Sequence, residues 1–467
     1  MEKNREQYKR LIMFVASSFI VLLQTVIFAK IWFDYYVEGD ILVNPFWERG
    51  NYVVVIQYAL MIFLFYKLYG GFKVGYLKVF EVIYSQVLSV LCVNAITYIQ
   101  LCLIVHMKFL SHLKPILVMT ALDLVVVLIW VVFMRWIYAK IYPPRKLVLV
   151  YGEYSPDGLI KKMAAREDKF AIQETVSCAE DLDFILSKIR EYDGVILADV
   201  DVGIRNKLLK FCFRNNIRCY SVPKISDIMI QNAEKIQLFD TTLLLFRNRG
   251  LTVEQKFFKR LFDIVASVAG LILASPFFVV IALAVKLYDG GPVFFEQDRL
   301  TKDGKIFKLY KFRSMRVVQE NSEYCMTKKN DSRITPVGKV IRAMHLDELP
   351  QLFNILKGDM SMVGPRPECP KLAEEYRRIV PEFDMRLKVK AGLTGYAQVY
   401  GKYNTPPYDK LKLDLMYIQR YSLMLDIQLI LLTVKVLLQK DSTEGIDEWQ
   451  NSAATKENLE KMGGKNR

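Results

Sequence analysis

The sequence predicts a membrane protein in three parts. These are an α-helical N-terminal four-span bundle, a small cytoplasmic α/β (Rossmann-like) module, and a mainly α C-terminal domain with a re-entrant membrane helix. Three observations predict it. Four long apolar stretches fill the first third of the chain, strand-like and helix-like runs alternate in the middle, and a further apolar stretch with a central proline opens the last part. The expected boundaries are 1–142 for the spans, 143–250 for the module, 251–440 for the C-terminal domain with its re-entrant helix at about 258–288, and 441–467 for a mobile polar tail.

The apolar stretches run over 11–33, 52–68, 79–105 and 116–141. A helix needs about 20 residues to cross a hydrocarbon core of about 30 Å, so the second is at the short limit. The first is too long for a signal peptide and lacks a small-residue cleavage site. Lys3, Arg5, Lys9 and Arg10 precede the first stretch, Lys67, Lys73 and Lys78 follow the second, and Arg135, Lys140, Arg145 and Lys146 surround the end of the fourth. The first loop is acidic, with Asp34, Glu38, Asp40 and Glu48 against Arg49. Basic loops stay on the cytoplasmic side, which places the N-terminus, the second loop and everything after the fourth span there; Lys108 and Lys114 in the third loop weaken this without reversing it. Asp123 lies inside the fourth stretch. It reads as a relay or substrate contact, as a partner for a polar group on a neighbouring span, or as a position near the outer interface.

Of the 467 residues, 52% are hydrophobic, mean hydropathy is +0.18 and formal net charge is +15. With apolar spans present, that charge points to anionic headgroups and an anionic substrate. No nucleic-acid motif occurs, so no nucleic-acid partner is expected. The seven cysteines are odd in number and form no CxxC, which argues against a disulfide framework and for a reducing compartment. The three histidines are scattered, so a Cys/His zinc site is not expected.

In the middle part, "KLVLVYG", "YDGVILADVD" and "IRCYSVP" read as strands alternating with helices, hence a parallel α/β unit. The segment after the first strand, "YGEYSPDG", lacks GxGxxG, so no dinucleotide site is expected. Asp199 and Asp201 form a DxD at a strand end, which reads as solvated loop acids or as a metal-diphosphate contact.

The stretch from Leu261 to Tyr288 is long enough to span, yet Ser275 and Pro276 sit at its centre, where proline removes a donor and kinks a helix. Lys256, Lys259 and Arg260 precede it and Lys286 follows. Both ends therefore prefer the cytoplasmic face, and a helix broken midway that enters and leaves on one side satisfies this, a kinked span being the alternative.

"GKIFKLYKFRSM" interleaves Lys305, Lys308, Lys311 and Arg313 with aromatics, a pattern suited to a basic edge strand on anionic lipid or to phosphate contact. In "HLDELPQLFNILKGDMSMVGPRPE", Leu349, Leu352, Phe353 and Leu356 recur at helical spacing, with Gly358 beyond the end. Asp347 and Glu348 fall at the N-terminal end of that helix, where the helix dipole favours anions. Neighbouring helical residues point about 100° apart, so two carboxylates can address one substrate with two tasks: one attacks, while the other holds a metal or accepts a proton. Placement for stability alone is the other reading. Arg366, between Pro365 and Pro367, is a fixed-backbone candidate for a phosphate fork or for a structural ion pair. Arg299, Lys311 and Arg313 are further candidates for phosphate or nucleotide contact, and Gly392, Gly395 and Gln398 in "AGLTGYAQ" for a nucleotide-facing loop, the glycines reading equally as a purely structural turn.

Residues 259–439 resemble the bacterial sugar transferase family, the polyprenyl-phosphate sugar-1-phosphate transferases or phosphoglycosyl transferases. The ordered blocks "KRLFDIVAS", the "ASP" break, "GGPVFFEQDR", "FKLYKFRSM", "DSRITPVGKVIR", "LDELPQLFNILKGDMSMVGPRPE" and "AGLTGYAQVYG" carry the resemblance. The spans and the α/β module resemble its larger, multi-span members. The resemblance implies that Asp347 attacks the β-phosphorus of a UDP-sugar, that UMP leaves, and that undecaprenyl phosphate collects the phosphosugar. Glu348 would assist through Mg²⁺ or by receiving a proton, and both carboxylates are the expected metal ligands. His345 departs from the small hydroxylated residue usual before Leu346. The implied setting is the bacterial inner membrane, multi-pass, with a cytoplasmic active domain, membrane lipid as a partner and a homodimer formed through the module or spans. The implied role is the first step of an exopolysaccharide, capsule or O-antigen repeat unit. Two rivals remain: a DxD glycosyltransferase using Asp199 and Asp201, and a non-catalytic membrane scaffold of polysaccharide assembly.

Overall fold

The computed structural model describes residues 8–38, 47–104, 113–246, 250–316, 333–401 and 405–437. The polar tail expected at 441–467 lies outside these. The chain forms two compact units, 1–222 and 223–467.

In the first unit, α1 (Lys9–Ile31, continued by a π-helical turn Trp32–Val37), α2 (Trp47–Tyr69), α3 (Val79–Ile104) and α4 (Leu113–Ile141) pack through Ile20, Phe28, Ile62, Val90, Met119 and Val127. The second stretch exceeds its expected length because its helix begins at Trp47, ahead of the apolar run, and reaches 23 residues. Together with one helix of the second unit, five described helices are long and apolar enough to cross a membrane. Asp123 is fully buried in the bundle, where it accepts hydrogen bonds from Tyr58 (3.3 Å) and Asn94 (3.2 Å). Partnership with polar groups on neighbouring spans is therefore what the described residues display.

The same unit carries β1 (Arg145–Tyr151), α5 (Asp157–Ala164), β2 (Phe170–Ser177), α6 (Leu182–Glu191), β3 (Gly194–Ala198), α7 (Val202–Arg214) and β4 (Arg218–Ser221). The four strands are parallel in the order β2-β1-β3-β4. β2, in "FAIQETVS", is the strand the sequence reading missed, because polar Gln173 and Glu174 interrupt its apolar run. Alternate residues of the central strands fill opposite layers, Val148, Val150, Val195 and Leu197 on one side and Leu147, Leu149 and Ile196 on the other. Each buried aliphatic side chain is worth about 1.5–3 kcal/mol, which accounts for the continuous apolar runs of strands covered on both faces. Gly152 follows β1 where a Cβ would lie 2.1 Å from the Asp199 carbonyl oxygen. It serves strand packing.

The second unit begins with α8 (Ile225–Gln231) and the hairpin β5 (Glu234–Leu238)–β6 (Thr241–Leu245). Residues 223–250, expected with the module, fall in this unit: Ile228 packs with Val380, Phe383, Leu411 and Leu415. Then come α9 (Val253–Asp289), β7 (Phe294–Leu300), β8 (Ile306–Phe312), α10 (Pro336–Ala343), a 3₁₀ turn (Leu346–Glu348), α11 (Gln351–Lys357) and β9 (Ser361–Val363). The chain continues with α12 (Pro370–Ile379), a 3₁₀ run (Pro381–Lys388), β10 (Gly392–Thr394), α13 (Tyr396–Tyr400), α14 (Pro407–Gln419) and α15 (Leu423–Leu437). β7 and β8 form an antiparallel hairpin, and β9 and β10 a short parallel pair. The unit is thus mixed α/β, a correction to the mainly α expectation. β8 lies in the stretch read as a basic edge strand, whereas β7, "FFEQDRL", carries no strand alternation, since its apolar residues stand at its two ends with polar residues between.

A second correction concerns α9. Ser275 and Pro276 do not divide it; one helix runs through both. Pro276 has no N–H for the carbonyl of Ile272, but the Ser275 hydroxyl donates to that same oxygen at 2.8 Å and satisfies it. Thr252 caps the start with its side chain, and Gly290, at φ 71°, ends the helix in the left-handed region. Lys259, Asp263, Ser267, Ala274, Ile281 and Val285 form one buried stripe, with Gly270 admitting Leu352 of α11. The opposite side leaves Val265, Val268, Leu273, Phe277, Val280 and Leu287 exposed.

Five cysteines (Cys92, Cys102, Cys178, Cys212 and Cys219) carry free thiols, whereas Cys369 is disulfide-bonded. Cysteine spacing constrains frameworks, but a single cross-link needs only two thiols brought close in space.

Candidate functional site

Pro350 shapes the opening of α11. It cannot donate to the carbonyl of Leu346, so the α-helical ladder starts after it and the preceding residues close as a 3₁₀ turn. Leu349 donates to Leu346 and Glu348 to His345, each at 3.3 Å, and His345 enters at φ 53°. Asp347 and Glu348 thus lie in a 3₁₀ turn directly ahead of α11. Successive side chains in such a turn diverge by about 120°, more than in an α-helix, so the two carboxylates face different surroundings.

Glu348 is held from both sides. Lys311, on edge strand β8, donates to Glu348 Oε1 at 2.8 Å, and Arg366 donates to the same oxygen at 2.9 Å. Burial by itself would raise the Glu348 carboxyl, but Arg366 and then Lys311 outweigh it and keep it well below the usual carboxylate range. Asp347 is 8% exposed, and among the described residues its carboxylate accepts no hydrogen bond; the Lys311 ammonium stands 3.9 Å away. Burial raises its pKa, Lys311 and Arg342 oppose the rise, and the Glu348 charge adds to it. The result is one carboxylate anchored by hydrogen bonds beside one that, among the described residues, accepts none.

Arg342, near the end of α10, was not singled out from sequence, yet it acts on Asp347 electrostatically and makes no ion pair among the described residues. Its place five residues ahead of Asp347, across the turn at His345, was the available signal.

Of the other expected contacts, Arg366 joins the pair, while Arg299 and Arg313 are engaged elsewhere. Arg299 donates to the Pro367 carbonyl at 3.1 Å and to Gln297 at 2.6 Å, so it touches the backbone of the Pro365–Pro367 turn. Arg313, 7% exposed, pairs with Asp289 and donates to the Pro292 carbonyl at 2.7 Å, clamping the end of α9 to the start of β7. Its short distance in sequence from Lys311 misled, because alternate strand residues share a face but the strand ends between them at Phe312.

The "AGLTG" glycines are required by close packing. A Cβ on Gly392 would lie 2.0 Å from the Gly364 nitrogen, and one on Gly395 2.1 Å from the Gly364 carbonyl oxygen. The β9–β10 pair therefore presses directly on the turn that carries Arg366. Gln398 donates to the Leu393 carbonyl at 3.0 Å, and its buried Oε1 has no partner among the described residues. Exchange of Gly395 for alanine should displace this turn, cutting activity by about tenfold to a hundredfold in a turnover assay, whereas a Gly158→Ala control, where a Cβ meets nothing within 4 Å, should leave it unchanged.

Could this pair of carboxylates hold a divalent cation? No group of three or more His, Cys, Asp or Glu side chains fit to hold a metal occurs among the described residues. Mg²⁺, however, is commonly held by one or two carboxylates plus substrate phosphates and waters, and an unencumbered Asp347 beside Glu348 suits that donor set. The residues fit a cation that arrives with a diphosphate.

Residues 254–440 match the family described as bacterial sugar transferase. The chain is 44% identical over 210 residues to a UDP-glucose:undecaprenyl-phosphate glucose-1-phosphate transferase of Klebsiella pneumoniae, covering 44% of this chain and 43% of that protein. It is 44% identical over 218 residues to the protein of the same name from Escherichia coli, covering 46% and 47%. It is 32% identical over 315 residues to a UDP-N-acetylgalactosamine-undecaprenyl-phosphate N-acetylgalactosaminephosphotransferase of Aeromonas hydrophila, covering 66% of this chain and 70% of that protein. The chain therefore spans less than half the length of the first two relatives and over two thirds of the third.

Proposed function

The chain belongs to the bacterial sugar transferase family, and from that premise we propose that it transfers sugar-1-phosphate from a UDP-sugar to undecaprenyl phosphate, releasing UMP. In this reading Asp347 is the nucleophile. Its carboxylate oxygen attacks the β-phosphorus, the bond from that phosphorus to the oxygen bridging it to UMP breaks, and an aspartyl-phosphosugar remains. A phosphate oxygen of undecaprenyl phosphate then attacks the same phosphorus, the acyl-phosphate bond breaks, and Asp347 is regenerated with the polyprenyl-diphosphate sugar. The observation that carries this is the division between the carboxylates: Lys311 and Arg366 both hold Glu348, while Asp347 accepts no hydrogen bond among the described residues. Lys311 and Arg342 supply positive charge where a diphosphate has to approach a carboxylate. Asp347 and Glu348 would hold Mg²⁺, which when bound neutralises phosphate charge.

The membrane setting follows the same reading. We take α1–α4 as spans of the bacterial inner membrane, the second unit as cytoplasmic, and α9 as lying within one leaflet. At 1.5 Å per residue its 37 residues extend about 55 Å, yet the buried stripe from Lys259 to Val285 packs against its own domain nearly throughout. A straight crossing would drag those packed elements into hydrocarbon of about 30 Å, where their polar groups find no partners. A domain resting in the inner leaflet reaches both a cytosolic UDP-sugar and a lipid phosphate at headgroup depth. Homodimerisation remains part of this proposal, as does a place at the first step of a surface-polysaccharide repeat unit.

The test is UMP release by purified full-length protein in lipid nanodiscs, with undecaprenyl phosphate and a panel of UDP-sugars. UMP formed only when both substrates are present at steady state supports the reading, and UDP as product sinks it. The DxD rival gains nothing from the fold. Asp201 caps α7, accepting from the Gly203 nitrogen at 2.8 Å, and Asp199 follows β3 at φ 53°. Asp201→Asn should leave turnover within about twofold and cost under about 1 kcal/mol of stability, since asparagine caps nearly as well; a loss of turnover comparable to that expected for Asp347→Asn would favour the rival.

A further inference from the structure

We propose that Arg386 is a positioning residue for this reaction: by holding the carbonyl of Arg366 it fixes the reach of the Arg366 guanidinium onto Glu348. The inference rests on the reading of Asp347, Glu348 and Arg366 as the reacting end of the site.

The turn "VGPRPE" from Val363 to Glu368 has two prolines and so cannot be held by a strand ladder alone. Its carbonyls are collected one by one instead. Val363 accepts from Lys259 at 2.9 Å and Tyr417 at 3.1 Å, Pro365 from the Gly392 nitrogen at 2.9 Å, Arg366 from Arg386 at 3.0 Å, and Pro367 from Arg299 at 3.1 Å. The Arg366 carbonyl matters most. Pro367 fixes its own φ, so orienting the carbonyl before it sets ψ of Arg366, the torsion that relates the anchored peptide to the Arg366 side chain.

Arg386 is built for this. It lies in the 3₁₀ run Pro381–Lys388, is 2% exposed, and aims its guanidinium in three directions. Nε donates to Asp414 at 2.7 Å, one terminal nitrogen to Glu368 at 3.4 Å, and the other to the Arg366 carbonyl at 3.0 Å. Lys410 also pairs with Glu368, whose carboxyl is pushed down to about 2: burial opposes this, and Lys410 and Arg386 prevail. A rigid fork with both carboxylates at its sides cannot swing, so its third arm is a fixed point for the turn. Lysine keeps the charge but presents one mobile ammonium, which cannot meet all three acceptors in that geometry.

The experiment is a double-mutant cycle on the full-length protein in nanodiscs, with undecaprenyl phosphate and the UDP-sugar of highest turnover. Arg386→Lys should lower kcat by about tenfold to a hundredfold, the cost of misplacing a site group by about an ångström, with KM for the UDP-sugar moving less than about threefold. Placed on Arg366→Lys, the same change should cost less than about twofold, because the reach it controls is already gone. A merely structural role lowers kcat by one factor in both backgrounds, and that result overturns the proposal, as does full turnover in Arg386→Lys. Full turnover in Arg366→Lys overturns both the proposal and the site reading beneath it. Should Arg386→Lys fail to fold, the paired change Arg386→Gln with Asp414→Asn removes both charges together and enters the same cycle with the same expectations.

Discussion

Asp347→Asn should abolish UMP release, lowering turnover by at least about a thousandfold, while the protein should stay folded with no fall in its thermal midpoint. Nucleophile deletions in enzymes of covalent mechanism cost on the order of 10³–10⁶ in kcat. The unusual half of the expectation is stability. Asp347 is buried and accepts no hydrogen bond among the described residues, so its charge is held at a cost that burial registers as a raised pKa. A neutral isostere relieves that cost while leaving Lys311 and Arg366 on Glu348. Activity and stability should therefore move in opposite directions, which an ordinary structural carboxylate would not do. Hydroxylamine trapping of the acyl phosphate from radiolabelled UDP-sugar, followed by peptide mapping, should place the label at residue 347 and lose it in the asparagine variant. An Asn variant that keeps turnover within tenfold removes Asp347 from the chemistry.

Asp426→Ala should be the most destabilising single change in the second unit, by about 3–5 kcal/mol. Lys259, 5% exposed near the start of α9, donates to Asp426 at 2.7 Å, and Asp426 is fully buried on α15. Tyr417 donates to the other Asp426 oxygen at 2.8 Å, and both Lys259 and Tyr417 also serve the Val363 carbonyl. Alanine leaves an ammonium in the interior with only neutral acceptors. Because a buried pair costs nearly as much to desolvate as it returns, Lys259→Met with Asp426→Leu should recover most of the loss. Limited proteolysis and thermal unfolding of the nanodisc-embedded protein read this directly. If Asp426→Ala unfolds at the wild-type temperature, the pair does not carry the contact between α9, α15 and the Val363 turn.

Local signals were legible in the sequence. Apolar length announced the helices of the first unit, continuous aliphatic runs announced β1 and β3, and the neighbouring acids and the proline-bounded arginine drew attention to Asp347, Glu348 and Arg366, of which the structure brings Arg366 onto Glu348. What failed were inferences that needed a partner in space. Proline predicted a break at Ser275–Pro276, but the Ser275 hydroxyl supplies the missing donor and the helix continues. A guanidinium two residues from Lys311 looked like a phosphate ligand, but Arg313 turns to Asp289. Nothing near Arg386 in the chain marks it, since Arg366, Glu368 and Asp414 converge on it from 18 to 28 residues away.

The sequence by itself singled out the residues on which the proposed chemistry rests and the stretches that leave water, because residue type and apolar periodicity are properties of neighbours along the chain. Only the tertiary structure decided which carboxylate is held by hydrogen bonds and which, among the described residues, accepts none, and which arginines reach the Glu348 carboxylate rather than backbone carbonyls. Those choices depend on which charges and hydrogen-bond acceptors folding places within about 3 Å of one another.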